Sequence, residues 1–131
     1  MNTVLKIEDL KFKWKNDKQF FLNIESFSVK ERRKVVLFGS SGSGKSTFLN
    51  LIGGILKPSS GKIKINGSEI TGLPSNKKDS FRANNLGVIF QQFNLLDYIP
   101  PIMNILLPCY FTKFKKKNKK YFYDRAFYLS N

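Results

Sequence analysis

"KVVLFGSSGSGKSTFLNLIGG", residues 34–54, decides how this chain is read. The apolar run 34–38 predicts a short strand buried on both faces. Gly39-Ser40-Ser41-Gly42-Ser43-Gly44-Lys45-Ser46 then satisfies the pattern G-x-x-x-x-G-K-[ST] at every position. Beyond it, Phe48, Leu49, Ile52 and Leu56 fall at helical spacing, and Lys57–Pro58 closes the predicted helix. Strand, glycine loop and helix in that order are the setting such a loop needs to hold phosphate. Glycines 39, 42 and 44 let the backbone take turns that a side chain would block, so successive N–H groups point into one concavity. The start of the helix adds partial positive charge at the same spot. Lys45 would reach the β- and γ-phosphates, the Ser46 hydroxyl would ligate Mg2+, and Thr47 would touch the α-phosphate. The motif implies a nucleoside-triphosphate site.

The rest of the composition narrows the class. With 131 residues, 41% of them hydrophobic, 13 phenylalanines and only 5 prolines, the chain reads as globular rather than disordered. Cys109 has no second cysteine to pair with, which fits a reducing compartment. The opening "MNTVLKIEDLKF" carries Glu8 and Asp9 and builds no export signal. "YIPPIMNILLPCYF" (98–111) is the most apolar segment, yet proline and Asn104 interrupt it well short of the roughly 20 apolar residues of a bilayer span. The net charge is +14, and "KFKKKNKK" places six lysines between Lys113 and Lys120. Such a run could meet nucleic acid or anionic lipid, but it is read as a solvated helix face, because no aromatic–basic stacking pattern accompanies it.

Along the chain, "TVLKIEDLKFKW" predicts an opening strand with Phe12 and Trp14 on one face. "FFLNIESFSV" predicts a second, with Leu22, Ile24, Phe27 and Val29 apolar. "GKIKINGSEI" alternates Ile63 and Ile65 and then turns at Asn66–Gly67, a strong hairpin sign. A short helix is expected over "PSNKKDSFRAN", a further buried strand at "LGVIF" (86–90), a helix entered through Pro100–Pro101, and a helical last segment. No linker or composition shift marks a boundary, so one domain, 1–131, is expected. Two apparent motifs are set aside. "NKKD" (76–79) fits a guanine-reading pattern but follows "TGLPS" rather than a buried strand, and no aspartate has glycine three residues later. The glycine pair in "IGGI" (52–55) is read as close packing inside the predicted helix.

Taken together, "SGSGKSTFLNLIGGILKPSSGKIKINGSEI" and "LGVIFQQFNLLDYIPPIMNILLP" resemble the nucleotide-binding domains of ABC transporters, most closely the ATPases of lipoprotein-releasing and macrolide-export systems. The resemblance implies an α/β P-loop NTPase fold of the ABC type. N-terminal antiparallel β strands would join the P-loop strand and helix, with 1–92 belonging to the ATP-binding core and 93–131 starting the helical subdomain. It implies that Gln91 contacts Mg2+ and the attacking water, with Gln92 the competing candidate, and that Ser46 shares the metal. Trp14 falls where the family stacks an aromatic on adenine, although a core position on its strand is an equally simple reading. It further implies ATP as ligand, a transmembrane permease subunit as partner, a head-to-tail homodimer of the full-length protein, and a place on the cytoplasmic face of the inner or plasma membrane.

The resemblance has gaps. Arg32-Arg33 stands where the family has Gly-Glu, and Met103 stands where it has a glutamate ahead of Asn104-Ile105. No four-residue apolar strand ends in Asp-Glu, no LSGGQ-like signature is present, and histidine is absent. Asp97 follows only Leu95-Leu96 and precedes Tyr98, so it does not fill the gap. The expectation is an incomplete domain whose catalytic motifs would lie past Asn131, binding nucleotide without turning it over. An inactive remnant of an interrupted gene, a basic binding module, and another P-loop enzyme such as a GTPase or nucleoside kinase are the alternatives. The strands ahead of the phosphate loop argue against the last of these.

Overall fold

A computed structural model describes residues 2–15, 21–91, 95–111 and 117–130. They fall into two compact units, 1–74 and 75–131.

In the first unit, β1 (Thr3–Lys13) lies between β2 (Phe21–Lys30) and β3 (Ser60–Ile65), and β4 (Ser68–Glu69) pairs with β3. All three pairings are antiparallel. The alternation seen in the sequence sets the faces. Phe27, Ile7 and Ile63 stand side by side across the strands, as do Val29, Leu5 and Ile65, so one face of the sheet is apolar. The predicted Asn66–Gly67 turn joins β3 to β4, with both residues at positive φ as a tight hairpin requires.

The register is irregular in two places, at Thr3–Leu5 in the β1–β2 pairing and, more consequentially, in the middle of β1. Asp9 takes φ 49°, and the β1–β3 register shifts between Glu8 and Lys11. One extra residue is thereby inserted opposite Gly61, a β-bulge. The buried positions of β1 change parity there, from Ile7 to Leu10 and Phe12. The half-buried positions of β2 change with them, between Ile24 and Phe27. Both strands switch together, so each still turns its apolar residues to the core.

The opposite face is charged. Glu8 is bridged by Lys6 at 2.7 Å and by Lys64 at 3.6 Å. The Lys6 hydrogen bond and its charge, with help from Lys64, hold the Glu8 carboxyl below its ordinary value against a smaller opposing effect of burial. A folded-state pKa lowered in this way contributes stability above the unfolded-state value, and the contribution disappears as pH falls through the folded one. Thermal midpoints of wild type and Glu8→Gln should therefore differ at neutral pH and converge on acidification. The effect is small, because the pair is exposed.

α1 (Lys45–Ile52) is anchored by Phe48 and Leu51, both buried, and the Phe48 ring meets Phe27 edge-on at 5.6 Å. Burying two such side chains stabilises the packing by about 3–6 kcal/mol. The helix is shorter than the sequence suggests. Gly53 and Gly54 are not inside it but end it, with Gly54 donating to the Leu51 carbonyl and Ile55 to that of Asn50. Leu49 consequently points outward and Leu51 carries the core contact instead.

Two predicted strands do not form. Residues 34–38 and 86–90 are irregular. Val35, Val36 and Phe38 are exposed, as are Val88, Ile89 and Phe90, with Ile89 at 99%. Their apolar, β-branched character is real, but a strand exists only with a neighbour to share its hydrogen bonds, and none among the described residues pairs with either run.

The second unit begins with α2 (Ser75–Asn85), which buries none of its residues. "NKKD" lies on its surface, where Asp79 pairs with Arg82 one turn on. After Gln91, α3 (Pro101–Leu106) starts with proline at its first position and runs into a 3-10 segment, Leu107–Phe111. α4 (Lys119–Ser130) packs against α3 around Leu106, Cys109 and Ala126, flanked by Ile102 and Phe122.

One amide organises the approach to α3. Asn104 Oδ1 accepts from the Leu96 backbone N–H at 2.8 Å, while its Nδ2 donates to the carbonyls of Leu96 at 3.1 Å and Ile99 at 3.3 Å. Asn104→Ala would remove these partners from part-buried backbone groups. The expected cost is about 2 kcal/mol, read as a roughly 30-fold faster exchange of the Leu96 amide proton.

Candidate functional site

The glycine loop and the start of α1 are held by the core contacts of Phe48 and Leu51 just behind them. Gly42 (φ 78°) and Gly44 (φ 92°) occupy backbone conformations that a side chain disfavours, and they curl the loop over the helix start. The Ser43 N–H turns back to the Ser40 carbonyl at 3.3 Å, and the first helical bond runs from the Phe48 N–H to the Gly44 carbonyl at 2.8 Å. Gly44 caps the helix without a side chain, and no acidic residue stands in the first turn. The amides of Lys45, Ser46 and Thr47 precede the first intrahelical bond, as in every helix start. Partial positive charge gathers there, and the first turn itself offers no carboxylate to offset it.

Lys45 supplies a full charge at the same place. Its Nζ donates to the carbonyls of Gly39 at 2.9 Å and Ser40 at 2.7 Å, and to Ser43 Oγ at 3.3 Å. A methyl group on Gly39 would come within 2.7 Å of Ser43 Oγ, so the loop closes tightly around the ammonium. Ser40 and Ser41 complete the turn, and Ser46 lies on the first turn of α1. Backbone amides, a helix start and one ammonium are thus gathered at one place, the groups from which an anion cradle is built.

The other predicted residues lie apart from the loop in sequence. Trp14 follows β1, with its ring edge-on to Phe12 at 4.9 Å and 42% of its surface exposed. Phe12 is the core residue of that pair. Gln91 is exposed at the end of the irregular run 86–90, in the second unit, and Gln92 lies outside the described residues. Asn104 draws attention in the sequence only as the neighbour of Met103; its clamp on residues 96–100 depends on a packing that no local pattern announces. Among the described residues, no group of three His, Cys, Asp or Glu side chains could by itself hold a metal.

Comparison with known proteins agrees with this geometry. Residues 22–121 match the family model described as ABC transporter. The bacitracin export ATP-binding protein BceA of Halalkalibacterium halodurans is 45% identical over 103 residues, 79% of this chain and 41% of that protein. The lipoprotein-releasing system ATP-binding protein LolD of Coxiella burnetii is 42% identical over 63% of this chain and 35% of its own length. The macrolide export ATP-binding/permease protein MacB of Vibrio parahaemolyticus is 36% identical over 82% of this chain and 17% of its own. Among solved structures, the ATP-binding cassette MJ0796 in a dimeric post-hydrolysis state bound to ADP and Pi superposes with a TM-score of 0.76 at 29% identity, over 94% of this chain and 54% of that one. A second dimeric structure of MJ0796 gives 0.70 at 31% identity, over 82% of this chain and 47% of that one. The chain thus spans less than half the length of these curated relatives. The family-model match covers well over half of the present chain, so with its cradle and its antiparallel sheet it belongs to the ABC transporter family of ATP-binding cassettes.

Proposed function

We propose that this chain binds Mg·ATP as part of the ATP-binding subunit of a transporter. The observation that carries the reading is the closed loop 39–44 set at a helix start that no side chain caps, with the Lys45 ammonium bonded to the loop. In this reading the amides of Gly39–Thr47 take the phosphate oxygens, Lys45 neutralises the β- and γ-phosphates, and Thr47 contacts the α-phosphate. The exposed ring of Trp14 offers a stacking surface for adenine. Ser46 would hold magnesium; its hydroxyl is a hard oxygen donor at the cradle's edge, and the remaining ligands would come from phosphate and water, as this ion prefers. Gln91 is assigned to the metal and the attacking water by family position. The subunit would sit on the cytoplasmic face of the membrane, engage a transmembrane permease, and pair head-to-tail with a second copy when full length.

In this reading these 131 residues bind nucleotide without turning it over. The ABC resemblance assigns the polarising of water to a glutamate that ends an apolar strand in Asp-Glu, and no such strand is present in these 131 residues. A fluorescent ATP analogue should therefore bind in a magnesium-dependent way and be displaced by ATP, while phosphate release stays at background. Absence of magnesium-dependent binding by folded protein would overturn the nucleotide reading. Turnover abolished by Lys45→Ala would overturn the division between binding and catalysis.

A further inference from the structure

α4 carries an exposed aromatic surface, on which the Tyr121 ring also meets Phe122 edge-on at 5.3 Å. Phe122 and Ala126 face the core of the second unit. The rest of the helix displays Tyr121 and Tyr128, 62% and 79% exposed, together with Tyr123 and Phe127. At about 100° per residue, Tyr121 and Tyr128 share one line along the axis and Tyr123 and Phe127 a second. Lys120 lies between the two lines, Arg125 flanks the first, and Lys117 precedes the first turn; all three are exposed. Asp124, the single acidic residue of the helix, also lies between the two lines, one turn beyond Lys120.

We propose that this face of α4 seats on the headgroup layer of an anionic bilayer. Four exposed rings on one short helix form an apolar surface that a protein surrounded by water rarely keeps. Tyrosine suits a boundary where the ring meets acyl chains and the hydroxyl meets water. The basic side chains complement acidic lipid headgroups and extend their stems along the same surface. The face is convex, which fits a plane of headgroups; it offers no groove to follow a nucleic-acid backbone. Among the described residues no helix is long and apolar enough to cross a membrane, so the contact is lateral, with the helix lying in the interface.

Flotation of the whole chain with lipid vesicles tests this, because bound protein rises with the lipid while self-associated protein sinks. The chain should float with phosphatidylcholine vesicles that contain phosphatidylglycerol, not with phosphatidylcholine alone, and high salt should weaken the association. The pair Tyr121→Ala and Tyr128→Ala should lower the bound-to-free ratio about tenfold. The pair Lys120→Glu and Arg125→Glu should lower it at least as much, with circular dichroism and nucleotide binding unchanged in both variants. Lys11→Glu with Lys13→Glu, on the basic face of the sheet, should leave flotation as it was. Absence of flotation, equal flotation with neutral vesicles, survival of flotation in both α4 variants, or loss in the sheet variant would each overturn the proposal. So would binding of a single-stranded oligonucleotide that depends on the same α4 residues without any flotation.

Discussion

Gly61→Ala should lower the unfolding free energy of the first unit by about 3–4 kcal/mol, a large share of the roughly 5–15 kcal/mol that holds a small domain together. Two effects combine. Gly61 has φ 91°, a conformation that costs an alanine about 1–2 kcal/mol. The added carbon would also stand 2.3 Å from the Asp9 carbonyl oxygen and 2.5 Å from the Leu10 Cα. Both obstacles are backbone atoms of the bulged strand and have nowhere to swing. Gly67→Ala separates the effects. Its φ is 77°, but nothing lies within 4 Å of where the new methyl group would stand, so only the conformational cost of about 1 kcal/mol applies. Urea unfolding followed by circular dichroism reads both variants, and equal losses would show that the close approach at Gly61 carries no weight.

The bulge also marks where the sequence is legible and where it is not. Alternation places β1, β2 and β3, and Asn66–Gly67 places the hairpin, because each depends on neighbours in the chain. Asp9 reads as an ordinary polar residue, so the kink does not announce itself. A trace of it is nevertheless present: Ile7 to Leu10 and Ile24 to Phe27 are apolar spacings of three, where an unbroken strand steps by two. Residues 34–38 and 86–90 mislead for the opposite reason. Their composition is right for strands, but pairing is a property of two segments, and composition describes only one. The backbone of the glycine loop is legible where it is local, in the positive φ of Gly42 and Gly44 and the helix start at Lys45, whereas the strand expected before it does not form. The clamp of Asn104 and the turning of Leu51 rather than Leu49 to the core depend on contacts made elsewhere.

Lys45→Ala should weaken Mg·ATP binding about 10- to 100-fold, the range for losing one charged hydrogen-bonding group from a phosphate site. Affinity for ADP should fall less, and AMP should be nearly unaffected, because the ammonium is assigned to the β- and γ-phosphates. The substitution also removes the contacts from Nζ to the Gly39 and Ser40 carbonyls, so part of the loss will come from a loosened loop. Those contacts are exposed, and global stability should change by less than about 1 kcal/mol. Titration with a fluorescent ATP analogue, beside a thermal melt, separates the two contributions. Lys45→Arg should not restore binding in full, since a planar guanidinium cannot occupy the small space enclosed by Gly39, Ser40 and Ser43. Undiminished ATP affinity in Lys45→Ala would remove the ammonium from the site.

Val35, Val36 and Phe38 form the stem that leads directly into Gly39, and this stem has no partner strand among the described residues. A stem without strand hydrogen bonds has more backbone entropy to lose when the loop closes on a ligand than a paired one has. Any neighbour that adopted the stem as a strand would meet this ordering requirement in advance, so strand capture and nucleotide affinity would rise together. By thermodynamic reciprocity, a bound nucleotide would in turn make the stem a better template for its neighbour.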